Sequence, residues 1–215
     1  MSAEPLAVYA DGLRAAVVGA CGALTLRYAD GSATDLDVHR WVGATNAGDE
    51  SLLARIAGPV LDIGCGPGRF VESLGARGVR VLGIDIAADA VRLTHRRGAI
   101  ALRRSVFDRV PGAGRWGTAL LLDGNVGIGG DPLALLRRVR ELIALGGLLF
   151  VETADPESAS RRSLVRIEAA GRASSWFPWA TVCVADIAAL AVAASFTVED
   201  IWTEDGRWFG ELHAR

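Results

Sequence analysis

Between Val60 and Phe70 the chain reads Val-Leu-Asp-Ile-Gly-Cys-Gly-Pro-Gly-Arg-Phe. A short apolar run carrying an acid leads into glycines at 64, 66 and 68, and a helical pattern begins at once. Glycines without a Cβ let the backbone turn tightly and come close to a ligand. A helix N-terminus just beyond adds unpaired N–H groups and the positive end of a macrodipole. Strand, glycine loop and helix together are the first half of a βαβ unit, and the loop suits a nucleotide-like ligand.

Two common glycine loops do not fit. The dinucleotide fingerprint G-x-G-x-x-G, counted from Gly64, needs a glycine where Arg69 stands. A P-loop needs a lysine, and all 23 basic residues of this chain are arginine. What remains is D-x-G-x-G-x-G with the acid, Asp62, ahead of the loop. A carboxylate there repels a pyrophosphate but can hold a ligand carrying an ammonium or sulfonium group. A second apolar run, Val79 to Ile84, ends in Asp85, 23 positions after Asp62, with a crossover helix expected over Arg69–Arg77. A right-handed βαβ crossover brings both strand ends to one edge of a parallel sheet, where the second acid can accept from ribose hydroxyls. Asp85 is also a natural cap for a helix starting near Ala87.

The alternation continues. Ala87–Arg97 reads as a helix, Ala99–Arg103 as a strand, and Thr118–Leu122 as a buried central strand. Asp131-Pro132 opens an amphipathic helix expected to run to Gly146-Gly147, with Leu148–Val151 as the next strand. Asp62, Asp85, Asp108, Asp123 and Glu152 all fall at predicted strand ends, where open α/β sheets bind ligands. Leu24–Tyr28 and Thr34–Val38 flank Asp30-Gly31 as a hairpin, and Asn46–Ile56 reads as a helix. Arg161–Glu168 and Arg172–Trp179, around Ala169-Ala170-Gly171, suggest an inserted hairpin. An apolar helix over Val182–Ala194 and a closing hairpin, Phe196–Trp202 with Arg207–His213, follow.

The predicted fold is therefore α/β: a doubly wound, mostly parallel, Rossmann-like sheet of seven strands with an antiparallel final strand, an N-terminal cap and an inserted β-hairpin. At 215 residues one domain is expected. It divides into a cap (1–57), a ligand-binding core (58–155), the inserted hairpin (156–181) and the closing helix and hairpin (182–215). A net charge of −2 gives no electrostatic footprint for nucleic acid. The apolar stretches Ala15–Leu26 and Val182–Ala194 are shorter than a span of about 20 residues. Glu4 and Asp11 stand where a leader would carry positive charge, so a cytoplasmic protein without membrane partners is expected. Cys21, Cys65 and Cys183 have no paired spacing, which argues against a disulfide framework or a zinc site.

The acid-first loop and the downstream acid resemble motif I and the strand-two acid of the class I S-adenosylmethionine (SAM) dependent methyltransferases, over roughly residues 46 to 213. Within that family, Asp123 to Pro132 is similar to small bacterial methyltransferase-like proteins. The resemblance implies SAM as cofactor and S-adenosylhomocysteine (SAH) as product. Asp62, Gly64, Cys65, Gly66 and Gly68 would hold its methionine part, Asp85 its ribose and Ile86 its adenine face. Val106, Phe107 and Asp108 would meet the adenine edge, and Asp123, Gly124 and Asn125 the amino-acid end and the transferred methyl. The Asp123-Gly124-Asn125-Val126 sequence departs from the [ND]-P-P-[YF] motif of base and amide methyltransferases, and Ala154-Asp155-Pro156 lacks the second half of a magnesium site, so no metal is expected.

A sulfonium methyl is activated already, and alignment of nucleophile, methyl and sulfur supplies much of the rate. His39 and Glu152 are the candidate general bases for a hydroxyl or acidic carbon acceptor. Trp41, Trp176, Phe177 and Trp179 are candidates for an apolar acceptor pocket, and Arg161, Arg162, Arg166 and Arg172 could meet an anionic acceptor or form a solvated face. The expected partner is a small-molecule acceptor, the chain being a monomer or homodimer. The alternatives are a SAM-binding sensor without transfer activity and an aminopropyl-transfer enzyme, the latter disfavoured because no compact acidic run is present.

Overall fold

The structure, a computed structural model, describes residues 3–20, 24–169 and 171–215; Cys21 and the expected turn residue Ala170 fall outside them. The chain begins with α1 (Ala3–Val17), β1 (Leu24–Tyr28), β2 (Ala33–Leu36), α2 (Val38–Val42) and α3 (Ala47–Arg55). Next come β3 (Val60–Ile63), α4 (Arg69–Ala76), β4 (Val81–Asp85), α5 (Ala88–Arg96), β5 (Ala101–Arg103), β6 (Trp116–Leu121), α6 (Pro132–Leu142) and β7 (Ile143–Thr153). The last third holds β8 (Arg161–Ala169), β9 (Arg172–Ala173), β10 (Phe177–Thr181), α7 (Ile187–Ala193), β11 (Phe196–Glu204) and β12 (Arg207–Ala214).

Seven strands form the main sheet in the order β11-β12-β7-β6-β3-β4-β5. The five from β7 to β5 are parallel, and β12 runs antiparallel between β7 and β11. From β3 the chain winds outward to β4 and β5, then returns to the other side for β6 and β7. The switch point thus lies at the C-terminal ends of β3 and β6, where such sheets open a crevice. Apolar alternation along the strands explains the two helical layers. Leu149 and Val151 of β7 face α6 and α7 through Leu135, Val139 and Ile187, while Phe150 faces α3 and α4 through Leu53, Phe70 and Leu74. Asp131 starts α6 as expected, accepting from the Ala134 N–H at 3.1 Å with Pro132 at the first helical position.

A second sheet, β10-β8-β1-β2 with β9 on the side of β8, stands over that crevice. The N-terminal hairpin and the inserted hairpin do not stand apart: β1 pairs antiparallel with β8, Tyr28 opposite Val165. Helix α1 fills the space beneath this sheet, its Val8 and Leu13 packing with Leu24, Val165, Ile167 and the Ala90 side chain of α5.

Several boundaries differ from the sequence expectation. The helix expected to reach Gly146 stops at Leu142, and β7 starts at Ile143, because its pairing with Trp116 of β6 begins there. The expected strand Arg172–Trp179 breaks into β9 and β10 around Ser174, whose hydroxyl accepts from the Ile167 N–H while its own N–H donates to the Ile167 carbonyl. The apolar run from Val182 becomes α-helical only at Ile187, after a 3-10 turn over Val184–Asp186, because Ala154 exchanges backbone bonds with Val182 and Val184 first. Among the described residues no helix is long and apolar enough to cross a membrane.

Candidate active site

The ends of β3 to β7 and the underside of the second sheet enclose a cavity of about 770 Å³. Its floor begins with the glycine loop. Gly64 has φ 73°, and a Cβ there would lie 2.6 Å from the Asn125 amide nitrogen. That amide donates to the carbonyls of Ile63 and Gly64 at 3.1 and 2.9 Å, so the β6 end clamps the loop. Gly68, at φ 84°, leaves room for Thr94, whose hydroxyl bonds the Gly66 carbonyl at 3.0 Å. Asp85 holds the loop from the other side, accepting from the N–H groups of Gly66 at 2.9 Å and Ala87 at 2.7 Å.

Of the site residues expected from the sequence, Asp62, Gly64, Cys65, Gly66, Asp85, Ile86, Val106, Phe107, Asp108, Asp123, Gly124, Asn125, Glu152, Trp41, Phe177 and Trp179 all line this one cavity. Gly68 sits behind the loop wall. Two more of the expected residues lie outside the cavity. His39 is exposed and does not line the cavity, because Asp37 caps α2 by accepting from the Arg40 N–H at 3.0 Å and the short helix then turns His39 to the face opposite Trp41. Trp176 lies outside, 44% exposed and beneath the Arg166 guanidinium. It precedes β10, whose residues Phe177–Thr181 line the cavity.

Glu152 is at the cavity but already engaged. Arg207 grips it with two bonds of 3.0 and 2.7 Å, and it accepts from the Asp123 N–H at 2.7 Å. Burial works to raise its carboxyl, yet the Arg207 bonds bring it below the usual range, so it is a weak base. Asp123, held at φ 53°, receives Arg40 at 2.6 Å and Arg69 at 3.2 Å. Arg69 and Arg207 both also bind Asp49 of α3, which is fully buried. Three arginines from α2, α4 and β12 thereby meet three carboxylates beneath the acceptor end of the cavity. Local pattern does not reveal this group, since its bonded partners lie up to 158 positions apart.

Asp62 is different. It is 4% exposed and accepts no hydrogen bond among the described residues. Burial and the nearby Asp123 push its carboxyl up to about 7. Tyr9 of α1, which sequence reasoning missed together with its helix, brings its hydroxyl against the glycine loop at Gly66 and lines the same cavity. Burial, with Asp85, Cys65 and Asp123 nearby, lifts the Tyr9 phenol well above its ordinary value, so it stays a proton donor. The four hairpin arginines do not line the cavity: Arg161 bonds Asp30, Arg162 Asp131, Arg166 Glu168 and Arg172 Asp11 on the outer surface. His95 and His213 are likewise outside it.

Comparison with known proteins agrees with this geometry. A family model described as a methyltransferase domain matches residues 47–195. Uncharacterised proteins of Mycobacterium tuberculosis and Mycobacterium bovis are 36% identical over 100 residues, covering 46% of this chain and 33% of theirs. The match thus spans a third of the length of these relatives. Among solved structures, a SAM-dependent methyltransferase from Bacteroides fragilis in complex with SAH superposes with a TM-score of 0.78 at 20% identity, covering 99% of this chain and 95% of that one. The 1,6-didemethyltoxoflavin-N1-methyltransferase of Burkholderia thailandensis, with that compound and SAH bound, gives 0.60 at 21% identity, over 100% and 92% of the two chains.

Proposed function

The chain belongs to the class I SAM-dependent methyltransferase family, and from that premise we propose that it transfers the SAM methyl group to a small-molecule acceptor held under the second sheet. The observation that carries this reading is Asp62: a buried carboxyl with no protein partner, facing the cavity beside the glycine loop. Such a group suits the α-ammonium of the methionine moiety, which would restore its charge and supply its hydrogen bonds. Asp85 keeps lone pairs beyond those given to Gly66 and Ala87 and can accept from the ribose hydroxyls. Ile86, Val106 and Phe107 would bracket the adenine, with Asp108 at its amino edge. Cap, core and inserted hairpin all contribute walls, so the segments would act as one unit.

Strand order then divides the cavity. Adenine and ribose would lie over β4 and β5 and the methionine part over β3 and β6, leaving the β7 end and the second sheet for the acceptor. With no histidine lining the cavity and Glu152 tied to Arg207, transfer would rest on alignment in a water-poor pocket. When bound, SAM supplies the electrophilic methyl.

SAM and SAH are expected to stabilise the fold and NAD is not, with a gain of about 2.7 kcal/mol at a ligand concentration near 100 Kd. Differential scanning with the three ligands measures it, and folded protein that ignores millimolar SAH would end this reading. Asp85→Ala is expected to weaken SAH by about 1.5–3 kcal/mol, the range for hydrogen bonds to a charged group. Titration calorimetry reads this directly, and an unchanged affinity would remove Asp85 from the ribose.

A further inference from the structure

Resting on the methyl-transfer reading, we infer that the acceptor is an uncharged, ring-shaped, largely apolar molecule, oriented by the Trp41 indole N–H and the Thr153 hydroxyl. Three independent observations point there. The acceptor end is walled by apolar and aromatic side chains from the cap and the second sheet, among them Leu26, Tyr28, Leu36, Phe177 and Trp179. Flat aromatic faces favour offset stacking or edge contacts with a ring.

The charges at that end are already matched. Arg40, Arg69 and Arg207 are shared among Asp49, Asp123 and Glu152. A carboxylate or phosphate on the acceptor would have to break one of those pairs or remain buried without a partner, and either is costly. Arg103 and Arg104 also line the cavity, but they are exposed at the β5 end, four strands from β7. They would lie beyond the adenine.

Three buried polar atoms of cavity-lining residues have no hydrogen-bond partner among the described residues: Nε1 of Trp41, Oγ1 of Thr153 and Nε of Arg69, the last on a guanidinium whose other nitrogens already bind Asp49 and Asp123. Thr153 closes β7 one position after Glu152 and is itself 9% exposed. Buried donors are nearly always paired. An acceptor bearing a carbonyl, ring nitrogen or hydroxyl would pair the indole and the hydroxyl, with small side-chain shifts as it enters. The indole only donates, whereas the hydroxyl can donate or accept. The site therefore demands at least one hydrogen-bond acceptor atom on the ring compound and rejects a purely hydrocarbon one.

The test uses the full chain saturated with SAH, and calorimetric titration with 2-naphthol and with 2-naphthoate, which share a ring system and differ in charge. Naphthol is expected to bind and naphthoate to bind at least about tenfold more weakly. Thr153→Val and Trp41→Phe should each weaken naphthol about three- to tenfold, the worth of one neutral hydrogen bond. Both should leave SAH affinity within about twofold and Arg162→Gln should change neither, since loss of an exposed pair has little effect. Naphthoate binding as tightly as naphthol would overturn the inference, as would SAH binding with no naphthol uptake or two variants indistinguishable from wild type. Failure of SAH itself to bind would instead bring down the methyl-transfer reading, and this inference with it.

Discussion

Replacing Asp49 with alanine is expected to cost about 3–5 kcal/mol of folding stability, the usual penalty for removing one member of a buried ion pair. Asp49 is fully buried and holds both Arg69 and Arg207. It also accepts from the Asn46 N–H at 3.1 Å in the capping box that starts α3. Alanine leaves two guanidinium groups short of a partner in an interior neither can leave easily. Burial pushes the Asp49 carboxyl up, but Arg69 and Arg207 pull it below the ordinary unfolded value of 3.8. Its contribution is therefore fully present above that unfolded value and is lost as pH falls through the lower folded one. Wild type and variant should converge in acid. Urea denaturation at pH 7 and in acid checks both statements, and a loss under about 1 kcal/mol at pH 7 would mean the arginines find other partners.

Asp62→Asn should act in the opposite sense on the empty protein. The folded carboxyl sits at about 7 against 3.8 for the unfolded chain, so the folded state holds the proton more tightly and stability declines as pH rises between those values. Asparagine keeps the shape and removes that decline. The expected gain is close to zero at pH 4 and about 2–4 kcal/mol at pH 8, given roughly 1.4 kcal/mol per pKa unit. The same change should weaken SAH by about ten- to a hundredfold, because a neutral amide cannot partner an ammonium. Wild-type affinity should strengthen as pH rises through about 7, while that of the variant stays flat. A variant that binds SAH as tightly as wild type would show that the ammonium lies elsewhere.

What could be read from the sequence was whatever is written locally. The glycine loop, the acids at 62 and 85 and the Asp131-Pro132 helix start each carry their geometry within a few residues, and each stands where the pattern put it. The three-arginine group could not be read in this way, because it joins α2, α3, α4, β6, β7 and β12 through side chains whose meeting depends on the whole sheet order. Helix α1 was obscured by a different cause. Its apolar residues run on into those before β1, so Ala15–Leu26 reads as one stretch although the helix stops at Val17. The pairing of β1 with β8 leaves no local trace at all.

That pairing sets the order in which the molecule can be completed. Tyr28 of β1 meets Val165 of β8, about 140 residues later. At synthesis rates of about 5–20 residues per second, β1 waits roughly seven to thirty seconds for its partner. During that interval the four-residue β2 is its only strand partner, and a lone hairpin is marginal in water. The parallel strands β3 to β6 can form their contacts while the N-terminal segment is still unpaired. The roof of the acceptor site can then close only once β8 has been made, and refolding should show the slow, non-local step that such long-range strand pairing imposes.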